Sequence, residues 1–171
     1  MGYGKVCAQY SLSGNTATVT IPSVALVDIE PSSGSISLVL TQPTEAGQTM
    51  TNSSATNNSK WINYTSSNST SVTRKITVQI TSGSVPSGLV IDLTASSYSG
   101  SGVGGTFGSP GSTIQINTSA QNLITGISSC HTGDGTSNGH QLTYTMRITN
   151  YANVKTVTSG TLLVNYTLMD N

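Results

Sequence analysis

Apolar and polar positions alternate along this chain in short runs, and helical periodicity is nearly absent. The runs are rich in Val, Ile, Thr and Tyr and are separated by turn-forming residues, which predicts strands. Ala17 to Ile21 is the first run; Pro22 interrupts it and Val24 to Ile29 resumes. Pro31 to Gly34 reads as a turn, and Ser35 to Thr41 alternates with Ile36, Leu38 and Leu40 on one face. After a turn at Pro43 to Gly47, the polar stretch Thr49 to Lys60 is predicted to be an exposed loop. Trp61 to Thr65 is a short strand, and Ser66 to Thr70 a second polar loop. Val72, Arg74, Ile76, Val78 and Ile80 then share one face. Leu89 to Ala95 follows the turn at Pro86 to Gly88.

The stretch Ser96 to Gly111 holds six glycines and Pro110, and is predicted to be a long loop. Thr113 to Asn117, Leu123 to Ile127, Gln141 to Thr149 and Gly160 to Leu168 complete the set, with a Gly-rich connection over Cys130 to Gly139. Asn150 to Thr158 reads as either a loop or part of another strand. The pattern predicts an all-β, antiparallel β-sandwich, Ig-like or jelly-roll-like, of about nine or ten strands. No fixed repeat length argues for a solenoid. Residues 16–171 form a single domain in this reading, preceded by an N-terminal arm over residues 1–15.

Composition narrows the function classes. The chain has 171 residues, 7 % of them charged, with six basic against six acidic side chains. Hydrophobic residues make up 35 %, and Ser and Thr about a third of the chain. There is no basic surface for nucleic acid. No apolar run approaches the ~18 residues of a membrane span. A neutral surface wetted by hydroxyls and amides suits molecules that pack side by side, since no self-repulsion opposes assembly. The expected location is extracellular, secreted or on a cell surface. Six Asn-x-Ser/Thr triplets, at Asn52, Asn57, Asn63, Asn68, Asn117 and Asn165, are candidate glycosylation sites. Chance triplets are equally expected from so much Ser, Thr and Asn.

The two cysteines, Cys7 and Cys130, suggest a disulfide within one subunit or between neighbours, with free buried thiols as the alternative. Val6-Cys7-Ala8 before Gln9 has the small-residue pattern of a cleavage site, but no apolar segment precedes it. The arm is therefore either a donor strand or a remnant of a signal or of added expression residues.

Chemistry concentrates in Cys130-His-Thr-Gly-Asp-Gly-Thr-Ser-Asn-Gly-His140, which holds both histidines of the chain. His131, Asp134 and His140 are candidate metal ligands, although their spacing matches no strong template. Asp-Gly and Asn-Gly equally favour a plain hairpin loop. No Gly-x-Ser-x-Gly elbow is present. The nearest acidic pair, Asp28 and Glu30, is better suited to solvating a strand edge than to sugar hydrolysis. The expectation is a protein without enzymatic activity or cofactor. Trp61, Tyr64 and Tyr98 lie beside polar loops and form a candidate sugar-binding set, against which stands a role for Trp61 as a core anchor. The Thr-x-Thr runs at Thr16–Thr20, Thr143–Thr145 and Thr156–Thr158 are out of phase, so they read as solvated strand faces.

The closing segment Leu163-Val-Asn-Tyr-Thr-Leu-Met-Asp-Asn, the run Ile21-Pro-Ser-Val-Ala-Leu-Val-Asp-Ile-Glu, the segment Gly139-His-Gln-Leu-Thr-Tyr and the Ser/Thr-rich, weakly charged strands carry a resemblance. The chain resembles small secreted surface proteins of Gram-negative bacteria, and pilin-like fibre subunits among them. That resemblance implies a structural subunit of an extracellular filament, self-associating by adding a strand to a neighbour's sheet edge. Chaperone-assembled pilins commonly pair two cysteines on nearby N-terminal strands; Cys7 and Cys130 are far apart and depart from that pattern. The alternative function is a monomeric carbohydrate-binding or adhesin domain, with glycans or a cell surface as partner.

Overall fold

The computed structural model describes residues 18–50, 55–157 and 160–171. The predicted arm at residues 1–15, with Cys7, lies outside the described residues, as do Ala17 and Asn52. The fold is an all-β sandwich of two antiparallel sheets, with eleven strands among the described residues. These are β1 (Val24–Glu30), β2 (Thr56–Ser67), β3 (Arg74–Ser82), β4 (Leu89–Ala95), β5 (Val103–Gly104), β6 (Phe107–Pro110), β7 (Ile114–Gln115), β8 (Gln121–Ile127), β9 (Cys130–His131), β10 (His140–Ile148) and β11 (Leu163–Asp170). A single 3-10 turn, Tyr151–Asn153, occupies part of the ambiguous stretch before β11.

The large sheet runs β5-β9-β2-β10-β4-β7, with β1 also paired to β2; the small sheet runs β11-β3-β8-β6. Two pairs of strands in the large sheet are single lines broken by loops. Thr65 and Ser66 of β2 face β1 on one side and β9 on the other, while Trp61 and Ile62 face β1 and β10. β9 and β10 therefore run along the same flank of β2, interrupted by residues 132–139. β5 and β4 continue the next line in the same way, interrupted by residues 96–102. The two interruptions lie together and share a bridge from Ser99 to Gly139.

Inward positions of both sheets form the core. Ile62, Ile76, Val78, Leu93, Ile124, Ile127 and Leu142 are completely buried. The Tyr144 hydroxyl on β10 bonds that of Tyr166 on β11 across the two layers. Burial pushes the Tyr144 phenol up to about 12 and the Tyr166 phenol well above its usual range, so both stay neutral.

Several sequence expectations require correction. The polar stretch predicted as a loop over Thr49 to Lys60 contributes residues 56–60 to β2, because the neighbouring β10 pairs with them. The predicted loop Ser66 to Thr70 begins two residues late, since β2 runs through Ser67. Ser96 to Gly111 contains β5 and β6, so glycine density there marks close backbone approach. A Cβ at Gly104 would lie 2.4 Å from the Cys130 Cα. Conversely, Ser35 to Leu40 belongs to no strand and Thr41 is a bridge residue, although Ile36, Leu38 and Leu40 do pack against the core. Thr18 to Ile21 is outside both sheets, with Val19 82 % and Ile21 79 % exposed.

The two margins of the sandwich differ. At one, β6 and β7 are four and two residues long, and the chain laces the sheets together. There Ile116 N donates to Ile91 O of the large sheet, while Ile80 N of the small sheet donates to Asn117 O. At the other, β1 and β11 are seven and eight residues long, and each pairs on one side only among the described residues. Short edges resist stray pairing; long ones invite it.

Candidate functional site

The segment with the most chemistry, Cys130 to His140, begins on β9 and ends on β10. His140 is completely buried beneath the paired loops. Its Nδ1 lies 2.8 Å from Ser96 O, and its Nε2 lies 2.9 Å from the Tyr64 hydroxyl and 3.2 Å from Phe107 O. The Tyr64 hydroxyl also donates to Phe107 O. Tyr98 stacks on Phe107 with ring centroids 3.7 Å apart and meets the His140 ring edge-on at 6.0 Å. Its hydroxyl donates to Thr132 O at 3.2 Å and accepts from Gly102 N at 2.6 Å. Tyr64, Tyr98, Phe107 and His140 thus form one polar-aromatic block that ties both loops to β2.

This geometry separates the candidate metal ligands. His131 and Asp134 are exposed, whereas His140 is sealed in and engaged through both ring nitrogens. Among the described residues no three His, Cys, Asp or Glu side chains converge to hold an ion. Asn138 organises the loop above. Its Oδ1 accepts from Ser101 N at 3.0 Å, its Nδ2 donates to Asp134 O at 2.7 Å, and its carbonyl accepts from Asn63 Nδ2.

Burial dominates the His140 imidazole and pushes it below its usual 6.5, outweighing the Ser96 and Phe107 carbonyls that favour the charged ring. Below about pH 6.5 the unfolded chain binds a proton that the folded chain refuses, so stability falls with pH; above it this contribution is constant. Urea midpoints for the wild type should drop between about pH 7 and about pH 5, and His140→Gln should lose part of that slope. An equal slope in both proteins would contradict the assignment.

The candidate sugar-binding set is also split. Tyr64 points inward, while Trp61 is half-buried on the outer face of β2, beside Glu30 and Gln141 in register. Trp61 is therefore not the core anchor; Ile62 and Tyr64 take that place. Tyr98 is half-buried against Phe107.

Cys130 is buried, and among the described residues its thiol has no disulfide partner; its Sγ lies 3.5 Å from Thr106 O. Burial pushes the thiol up, so little thiolate is present at neutral pH. The proposed partner Cys7 lies outside the described residues. Of the candidate glycosylation sites, Asn117 and Asn165 are exposed and Asn57 and Asn68 half-buried, with side chains bonded to Ser59 and Ser129. Asn63 is buried at 5 % exposure.

Sequence reasoning missed two buried cations. Arg74 Nε donates to Asp170 Oδ1 at 2.9 Å, Nη2 to Ser23 Oγ at 2.8 Å and Nη1 to Val24 O. Lys60 Nζ donates to Ser33 O at 2.9 Å and to Pro31 O, holding the turn after β1. The signal was present: both occupy inward positions of their strands' alternation. Comparisons with protein-family models, curated proteins and solved structures gave no match to this chain.

Proposed function

We propose that this chain is a structural subunit of an extracellular filament, secreted or displayed at a cell surface and assembled by strand addition between copies. The observation that carries the reading is the asymmetry of the sandwich, with short edge strands at one margin and, at the other, two long strands that have a single partner strand each among the described residues. An unpaired edge offers a row of backbone donors and acceptors to another chain. The neutral, hydroxyl-rich surface supports the same reading, because copies meet without charge repulsion. The buried polar groups His140, Arg74 and Lys60 are all committed to holding loops and edges in place. In this reading the chain has no enzymatic role, and any bond from Cys7 to Cys130 would be a lock added to the assembly.

Sedimentation at rising protein concentration, with a non-reducing gel beside it, tests the proposal. Concentration-dependent growth into large, open-ended species is expected, and a disulfide ladder would place the cysteine pair between subunits. A single monomeric species at all concentrations would overturn it.

A second reading, a monomeric carbohydrate-binding or adhesin domain, is favoured by the partly exposed Trp61 ring between Glu30 and Gln141. Such a ring can stack a sugar while neighbouring polar groups hold its hydroxyls. A glycan array with Trp61→Ala as control separates it from the filament.

A further inference from the structure

We infer that the outer face of β2 around Trp61 binds an amino sugar, a pyranose ring carrying a free ammonium group. This ligand class rests on the carbohydrate-binding reading and holds whether or not copies assemble. Strand alternation builds the face. Ile62 and Tyr64 turn into the core, which turns Trp61 and Asn63 outward. Ile29 likewise packs on the core and leaves Asp28 and Glu30 outward, and the buried His140 and Leu142 leave Gln141 outward. Register sets Glu30 and Gln141 on either side of Trp61, and Asp28 beside Asn63 in the next row. Cross-strand neighbours lie about 5 Å apart and successive rows about 7 Å, so the patch has the dimensions of one sugar ring with its substituents.

The polar groups around the indole present oxygen. Gln141 Nε2 donates to Asn58 O at 2.9 Å, and Asn63 Nδ2 donates to Asn138 O. The partner of each is a carbonyl, so each amide is anchored by its nitrogen end and its oxygen end is left over. Asn63 is 5 % exposed, and its Oδ1 has no hydrogen-bond partner among the described residues. A buried acceptor of that kind calls for a donor on this face. Two carboxylates stand beside it. Glu30 Oε2 accepts from Ser32 N at 3.1 Å and Asp28 Oδ1 from Ile29 N at 2.7 Å, which positions each by one oxygen. Among the described residues the ion pairs are Arg74–Asp170 and Arg147–Asp92, and neither uses Glu30 or Asp28.

Oxygen acceptors on Glu30, Asp28, Asn63 and Gln141 select a ligand rich in N–H and O–H donors and positively charged. The indole selects its shape. Its face attracts a cation and stacks on the apolar side of a flat ring. Trp61 does this without an aromatic cage, since Tyr64 is turned inward and Tyr98 is stacked on Phe107. A lone ring on an open sheet suits a pyranose laid across it better than a bare ammonium group. An amino sugar supplies the stacking ring, the hydroxyl donors and the charge together.

Trp61 is the one tryptophan in the chain, so indole fluorescence reports this site alone. The test titrates the native protein with a glucosamine tetramer and with its fully N-acetylated, uncharged counterpart. The glucosamine tetramer should shift the emission and bind at least about tenfold more tightly, with affinity falling as salt is raised. Glu30→Gln and Asp28→Asn keep an oxygen for the backbone contact, so each should leave the thermal midpoint in place while weakening binding at least about threefold. Trp61→Ala, followed by calorimetry, should abolish binding. Full affinity in both carboxylate variants would overturn the inference. Equal affinity for the two tetramers would overturn the amino sugar and leave the carbohydrate-binding reading standing; no binding of either would sink both. Tetralysine binding as tightly as the glucosamine tetramer would also overturn it, and would assign the face to a cationic peptide.

Discussion

Arg74→Leu is expected to destabilise the fold by about 3 kcal/mol, read as a fall of roughly 6–12 °C in thermal midpoint for a chain of this size. Arg74 is 5 % exposed, and its guanidinium is shared among Ser23, Val24, Ser66 and Asp170. It therefore joins the start of β1, the end of β2 and the end of β11, three elements close together in space and far apart in sequence. Leucine fills much of the volume but leaves those acceptors unpaired. The ion pair itself is the smaller part of the effect. Asp170 is 68 % exposed, so solvent screens its charge, and Asp170→Asn should cost no more than about 1 kcal/mol. Thermal melts of the two variants separate the contributions. Equal losses would show that the ion pair, rather than the carbonyl and hydroxyl contacts, carries the clamp.

Gly139→Ala is the second large effect. Gly139 has φ +84, and a Cβ there would lie 2.0 Å from the Ile62 carbonyl oxygen. The oxygen belongs to the backbone of β2 and the Cβ position is fixed by the backbone at Gly139, so β10 must move off β2 and His140 must move with it. The left-handed conformation alone costs about 1–2 kcal/mol for a non-glycine residue. With the collision added, a loss of about 3 kcal/mol or more is expected. Gly135 is the internal control: it has φ +86 but nothing within 4 Å of a Cβ, so Gly135→Ala should show the conformational cost only. Denaturant midpoints of the pair isolate the price of the backbone overlap. Similar losses at both positions would contradict the close approach of Gly139 to Ile62.

These two positions also show what the sequence made legible. The alternation placed Arg74 on the same face as Ile76, Val78 and Ile80, so its burial was readable, but its partners came from β1, β2 and β11 and no local pattern names them. The strands Leu89 to Ala95, Gln141 to Thr149 and Gly160 to Leu168 were readable because one face of each is buried. The start of β2 was not, since Thr56 to Lys60 is polar throughout and is made a strand by pairing with β10. Ser35 to Thr41 shows the reverse: its alternation reports the packing of Ile36, Leu38 and Leu40 on the core, without a ladder.

In the candidate site, Cys130 to His140 was readable as a turn-rich connection with two histidines. Their separation was not, because it follows from a strand broken into β9 and β10 around the loop. The sealing of His140 depends on Tyr64, Tyr98 and Phe107, which reach it from three other parts of the chain.

The proposed function stands on the assembly of copies of this chain into a filament. Negative-stain electron microscopy of the native protein tests it most directly. Uniform, unbranched fibres of constant width are the predicted result. Discrete particles of single-domain size at every concentration would contradict it, and would turn attention to the Trp61 face.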